Sequence, residues 1–474
     1  MMATQIQPFS EIDPSKFEDI NPAQFITFTL QNTLTNRRHL HFPLIRVAVL
    51  DSPTASYEGD LPVIAAIVVP RNRETDWTFC TESGHKQLLF KLGTVSRLIL
   101  IGNIPPAQGP SIYKRRTIDP VKQELLENEL IPLLLPLHPK SSPISDDGSP
   151  KTLFLMDDDD VAYRVTVSKF LGPVVGEFLV EDIELVGYDD RNKQLRRRLR
   201  FKRMPQVVQS QALLLPIIGY DEATTQTDLE SLRKIEDATF EPDTEILVHH
   251  YLIPMVSGLS VAASNINMLV SPRALCLGVG GGVLLTFLDT HFAFEVTGLE
   301  ADPVVLDVAT KYFGFNKTGS MRLVIGDAIE MIQNFPPYKS SAYRHEFADT
   351  TNYPPAKFDI IFVDLDSSDA RLGFCSPPRE FVKKPVIEGL RSLLDDCGVV
   401  IINVFHLDEE LYGTLVKELK ENFHKVYKVN VENEDYFVVV ATVSEAPPDE
   451  VENIFLKKLK AAIPETYMDS IVEL

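Results

Sequence analysis

The chain has 474 residues, too many for one ordinary core, which implies roughly two or three domains. Hydrophobic residues make up 44% and charged residues 24%, a globular balance, and no apolar stretch reaches the roughly 18 to 20 residues of a membrane span. A formal net charge of −21 excludes a broad nucleic-acid footprint, because phosphate backbones are held by lysine and arginine.

Residues 241–474 carry 19 basic against 35 acidic side chains, the rest 27 against 32. An acidic surface either keeps a protein solvated or draws a cationic substrate such as a basic peptide or amine. Cys80, Cys276, Cys375 and Cys397 form no CxxC pair, which fits a reducing compartment. The stretch MMATQIQPFSEIDPSKF has the form of neither a secretory signal nor a transit peptide, and the cytosol is the expectation.

In chain order, residues 1–45 read as a poorly structured lead. LPVIAAIVVP, ETDWTFCTESGHKQLLFKL and SRLILIGN predict strand, helix and strand, a small α/β unit over about 45–140. Residues 140–160 (KSSPISDDGSPKTLFLMDDDD) read as a linker. Alternating segments over 161–215 predict antiparallel strands. Their run RRRLRFKR reads as the solvated face of an edge strand rather than a phosphate patch. Residues 1–240 thus form an accessory region ahead of a domain at 241–474.

From about residue 243 strands and helices alternate strictly. ALCLGV, FEVTGLE, MRLVIG, KFDIIFVDLD and GVVIINVF predict strands, with helices between them, one from about Glu380 to Leu394. KVYKVNVENEDYFVVVATV closes the pattern as a hairpin. The fold class is α/β: a Rossmann-like, mostly parallel sheet ending in an antiparallel hairpin.

Ligands of such sheets sit beyond the carboxyl ends of the strands, beside the first one. There the sequence places GVGGG (Gly278, Val279, Gly280, Gly281, Gly282). Glu300, 22 residues after Gly278, can accept both hydroxyls of a ribose, and Asp327 the amino group of an adenine. Ala301, Asp302 and Ala328 flank these acids. A dinucleotide fingerprint requires G-x-G-x-x-G, whereas Val283 follows the glycines here. The pattern G-x-G-x-G suits a ligand without pyrophosphate, and S-adenosylmethionine is the expected cofactor, giving the class I S-adenosylmethionine-dependent methyltransferase fold. No histidine and carboxylate spacing suggests a metal.

These motifs make the sheet domain resemble the spermidine-synthase-like methyltransferases. It looks most like the C-terminal half of the methyltransferase-like protein 13 family, the elongation factor 1-alpha lysine and N-terminal methyltransferases. MVSGLSV, LCLGVGGGVLLTFLDTHF, LEADPVVLDVATKYFGF, FDIIFVDLDSSDARLGFCSPPREFV, GVVIINV and TYMDSIVEL carry the resemblance, with VVPRNRETDWTFCTESGHKQL upstream. The resemblance implies methylation of the α-amine of elongation factor 1-alpha. The glycine cradle of the family's separate lysine-methylating domain is missing from residues 1–60, so lysine methylation is expected to be absent.

An α-amine has a pKa of about 7.7 to 8.0 against about 10.4 for lysine, so freeing it at neutral pH costs less by about 3.5 kcal/mol. A weak base suffices. Asp366 is the first candidate, since in D-S-S-D it matches the amine-activating aspartate of spermidine synthases. Asp364 is the second, Asp369 is a further carboxylate, and Asn403 orients the amine. Pro377 and Pro378 would stiffen the loop, Phe374 would cover a ligand, and His249 and His250, ahead of a helix with Met255, could approach the cofactor's tail. The rivals are an aminopropyltransferase, disfavoured because Val283 stands where those enzymes carry an acid, and a non-catalytic scaffold.

Overall fold

A computed structural model describes the chain except residues 1–5, 8–11, 35–39, 41, 54–60, 108–110, 116–118, 146–147, 157–158, 187–192, 218–227, 236–238, 335–356, 368–375, 406–408, 432–435, 446 and 448–451. It folds as two units. The first comprises Met1–Thr166, Ile183–Lys193 and Met204–Val207; the second comprises Val167–Asp182, Gln194–Arg203 and Val208–Leu474. Among the described residues no helix is long and apolar enough to cross a membrane.

The first unit holds a six-stranded sheet in the order Ile6–Gln7, Phe25–Gln31, Leu44–Asp51, Arg97–Asn103, Ile64–Val68, Leu153–Leu155. Ile64–Val68 and Arg97–Asn103 run parallel because the helix Glu82–Leu92 carries the chain across between them. Apolar clusters fill both faces. The sheet takes strands from both flanks of 45–140: FITFTLQ lies in the stretch read as an unstructured lead, and LFL in the stretch read as a linker. Ile26, Phe28 and Leu30 face one core in FITFTLQ, a period-2 pattern too short to stand out among its polar neighbours. Arg97 is fully buried and holds Asp51 at 2.6 and 2.9 Å while donating to the carbonyls of Phe17 and Leu137. Those bonds tie the lead and the end of a helix to the sheet.

In the second unit Gln194–Phe201 (β1) pairs antiparallel with Val208–Ile217 (β2), and β2 with Thr239–Asp243 (β3). The reading of RRRLRFKR as a solvated edge needs correction. β1 is an inner strand with Gly176–Leu185 on its other side, and Arg197 and Arg200 are buried. Arg197 holds Asp182 at 2.7 and 3.0 Å, and Arg200 lies 3.3 Å from Glu181. The pairing acids lie in EFLVEDIEL, so the run by itself could not reveal its own burial.

The main sheet contains Arg273–Leu277 (β4), Glu295–Glu300 (β5), Met321–Ile325 (β6), Phe358–Val363 (β7), Leu394–Phe405 (β8), Lys425–Asn430 (β9), Tyr436–Thr442 (β10) and Ile471–Glu473 (β11). Its order is β6-β5-β4-β7-β8-β10-β9-β11. Pairing is parallel from β6 through β8 and antiparallel from there on. Val283–Phe292 (α1), Pro303–Tyr312 (α2), Ala328–Asn334 (α3), Lys384–Leu393 (α4) and Glu409–Asn422 (α5) supply the connecting helices. Every residue of β7 is buried, as expected of a strand covered on both faces, and one apolar core fills each face. α4 starts at Lys384 rather than near Glu380 because Pro385, with its fixed φ, occupies the first turn. β4 pairs with both β5 and β7, so strand order reverses there and a crevice is expected beyond its carboxyl end.

Candidate active site

Beyond β4 the chain bends through Gly278, Val279, Gly280, Gly281 and Gly282 into α1. Gly278, Gly280 and Gly282 have φ of 90°, 54° and 74°, a region closed to most side chains. A Cβ on Gly278 would lie 2.2 Å from the carbonyl oxygen of Asp364. The ends of β4 and β7 therefore meet backbone to backbone. A Cβ on Gly281 would meet Ser210 Oγ at 2.6 Å, and one on Gly282 the Phe315 ring at 2.4 Å. β2, upstream of residue 241, thus covers the bend.

Glu300, at the end of β5, is buried against this loop. Its Oε2 accepts from the N–H groups of Val279 and Gly280 at 3.1 and 3.2 Å, and its Oε1 from the Asp302 N–H at 3.2 Å. Burial raises its carboxyl above the usual range, and the three backbone donors oppose the rise. Asp302 is fully buried and turned to structural use. Its Oδ2 takes the Val174 and Val175 N–H groups at 2.9 Å each, and its Oδ1 caps α2 through Val304 at 3.0 Å. Asp327 stays exposed beyond β6 and accepts the Glu330 N–H at 2.8 Å in the first turn of α3. Ala328 behind it is buried and Ala301 half-buried.

Two carboxylates stand past β7. Asp364 Oδ1 accepts from Asn403 Nδ2 at 3.0 Å and its Oδ2 from the Tyr251 hydroxyl at 3.1 Å. Its carboxyl is pushed up to about 6, by burial first, with the Asn403 and Tyr251 bonds pulling the other way. Asn403, on β8, is 4% exposed, and among the described residues its Oδ1 has no hydrogen-bond partner. A buried acceptor left unmet costs about 1 to 3 kcal/mol, so this oxygen calls for an explanation.

Asp366 is held differently. Arg203 Nη2 spans both its oxygens at 2.8 and 3.0 Å, and Nη1 donates to the Ser367 carbonyl at 2.8 Å. Burial raises the Asp366 carboxyl, and the Arg203 charge is the largest influence against that rise. The order drawn from sequence, Asp366 before Asp364, meets a physical obstacle in this permanent cation. Among the described residues Asp364 is bound by the neutral donors Asn403 and Tyr251. Asp369 and Phe374 lie outside the described residues. Ser376, just before Pro377 and Pro378, clips the loop back to the sheet, its hydroxyl donating to the Leu365 carbonyl at 2.7 Å and its N–H to the Phe405 carbonyl at 2.9 Å.

His249 is buried with its ring 4.3 Å from that of Tyr251, and His250 packs edge-on against Tyr436 at 4.3 Å. Met255 is in the core. Val283 is buried as well, a packing position of α1. Arg203, Gln209 and Tyr251 escaped the sequence reading. Arg203 ends the basic run and Tyr251 follows the histidine pair, so both lay in stretches already singled out. Gln209, whose side chain lies against Asp366, gave no signal.

No protein-family model matches the chain. The eEF1A lysine and N-terminal methyltransferase of Homo sapiens is 28% identical over 401 residues, 83% of this chain and 52% of that protein. The chain is similar to these methyltransferases over four-fifths of its length. The Xenopus laevis protein of the same name is 28% identical over 394 residues, 81% of this chain and 51% of its own. The Drosophila melanogaster homolog is 27% identical over 388 residues, covering 81% and 49%. The chain thus spans about half the length of the curated relatives it matches. Among solved structures, human methyltransferase-like protein 13 in complex with SAH is 26% identical, covering 45% of this chain and 90% of that one at a TM-score of 0.36. A probable spermidine synthase from Corynebacterium glutamicum is 13% identical, covering 61% and 86% at a TM-score of 0.39.

Proposed function

We propose that the chain is an S-adenosylmethionine-dependent N-methyltransferase of the spermidine-synthase-like type, corresponding to the C-terminal half of the relatives above. Its substrate is the N-terminal α-amine of a protein with a basic N-terminus, elongation factor 1-alpha being the first candidate and the cytosol the place. The observation that supports this reading is the close approach of Gly278 to the Asp364 backbone carbonyl, which would bring a cofactor cradle and an amine-holding carboxylate to one corner. The names of the relatives support it.

The residues present fit the cofactor. A Cβ would clash at Gly278, Gly281 and Gly282, and among the described residues Asn403 Oδ1 is buried without a partner. Gly278, Val279, Gly280, Gly281 and Gly282 would line the adenosyl group, with Ala301 and Ala328 along its edges. Glu300 Oε1 keeps a lone pair for a ribose hydroxyl, and Asp327 reaches an adenine amino group. Bound there, the cofactor's sulfonium supplies an already activated methyl group. The protein's share is then positioning and electrostatics. Asp364 binds the incoming ammonium and takes its proton, Asn403 Oδ1 accepts a remaining N–H, and Asp366, paired with Arg203, borders the amine. Residues 241–474 with the strands β1 to β3 form the catalytic unit, and the remaining N-terminal residues are accessory.

The test offers labelled S-adenosylmethionine with a short peptide beginning Gly-Lys, with its N-acetylated twin, and putrescine with the decarboxylated cofactor. Label is expected only in the unblocked peptide. Label in the acetylated twin would move the target to a side chain, and a polyamine product would make the enzyme an aminopropyltransferase.

A further inference from the structure

We infer that Arg203 is a specificity-determining residue, a built-in cation that cancels one of the two carboxylates at the mouth of the site and suits it to a single amine rather than a diamine. The inference rests on the reading above only in that Asp364 and Asp366 face the amine.

The basic run that ends in Arg203 has two uses. Arg197 and Arg200 are spent on strand pairing with Asp182 and Glu181. Arg203, just past the end of β1, instead reaches Asp366, 163 residues away in the chain. Three contacts fix it there: Nη2 on both Asp366 oxygens, Nη1 on the Ser367 carbonyl, and the guanidinium 5.3 Å from the Phe201 ring centre. A guanidinium stays charged at any physiological pH. Asp366 therefore presents a compensated pair, and Asp364, held by the neutral Asn403 and Tyr251, is the uncompensated acid beside it.

Charge counting then separates substrates. Two bare carboxylates two residues apart would favour a dication over a monocation, because each added ammonium would find its own counter-charge. One bare carboxylate beside the neutral Arg203–Asp366 pair gives a counter-charge to a single ammonium and none to a second. Val283 cannot do this work, since its side chain is 3% exposed and packed in the core.

The test measures dissociation constants of putrescine and propylamine by calorimetry, without cofactor, on the full chain. R203M should tighten putrescine at least tenfold relative to propylamine, R203K should keep the wild-type ratio, and the double variant R203M/D366N, with one bare acid again, should return to it. D366N alone, which leaves the guanidinium uncompensated, should weaken putrescine at least tenfold and serves if R203M does not fold. An unchanged ratio in R203M and D366N, or an equal switch in R203K, would overturn the inference. Methyl transfer to the peptide with an unchanged ratio would defeat this inference alone. A switched ratio in a protein that methylates no amine would defeat the methyltransferase reading and leave the inference standing.

Discussion

Asn403 donates its side-chain amide to Asp364 at 3.0 Å while its own oxygen, buried beside that bond, has no partner. One residue thus orients the acid and keeps a buried acceptor unmet among the described residues. Hydrogen bonds to charged groups contribute about 1.5 to 3 kcal/mol. Asn403→Ala should therefore lower methyl transfer by about 10- to 100-fold, read as initial rate on the unblocked peptide, with the melting temperature almost unchanged.

Tyr251→Phe removes the second donor to Asp364. A donor to a carboxylate favours its ionised form, so the loss raises the carboxyl from its already elevated value of about 6. The base is active when ionised. The acid limb of the rate profile should move to higher pH by roughly half to one unit, and a limb that stays in place would show that Asp364 is not the titrating group.

Asp364→Asn should separate activity from stability. The wild-type carboxyl is raised in the fold, so folding favours its protonated form; that contribution is present below about pH 4 and is lost as pH rises through about 6. The variant has no such loss. Its stability relative to wild type should climb between pH 4 and 6, by at most about 3 kcal/mol, and stay level above that, as denaturant titrations at several pH values would read.

Gly278→Ala places a Cβ 2.2 Å from the Asp364 carbonyl oxygen at a φ of 90°. Backbone on both sides cannot yield cheaply. A destabilisation of about 2 to 4 kcal/mol is expected, together with loss of the thermal shift that S-adenosylhomocysteine gives the wild type.

Much of the main sheet was legible because parallel strands buried on both faces read as continuous apolar runs, as ALCLGV and FDIIFV do. The glycine bend and the acids Glu300, Asp364 and Asp366 followed from strand ends. Arg203, Gln209 and Ser210 did not, because they arrive from strands upstream through pairings that no local pattern encodes. Asp302 shows the converse. It looks like a cofactor acid by position, yet its carboxylate is consumed by three backbone N–H groups, two of them from Val174 and Val175, which are remote in sequence.

Tandem mass spectrometry of the peptide after incubation with S-adenosylmethionine, for wild type beside Asp364→Asn, tests the placement of the amine at Asp364 most directly. Methyl groups confined to the α-amine with wild type, and a loss of at least a hundredfold with a folded variant that still binds S-adenosylhomocysteine, is the predicted result. Undiminished methylation by that variant, or methyl groups on lysine, would contradict it.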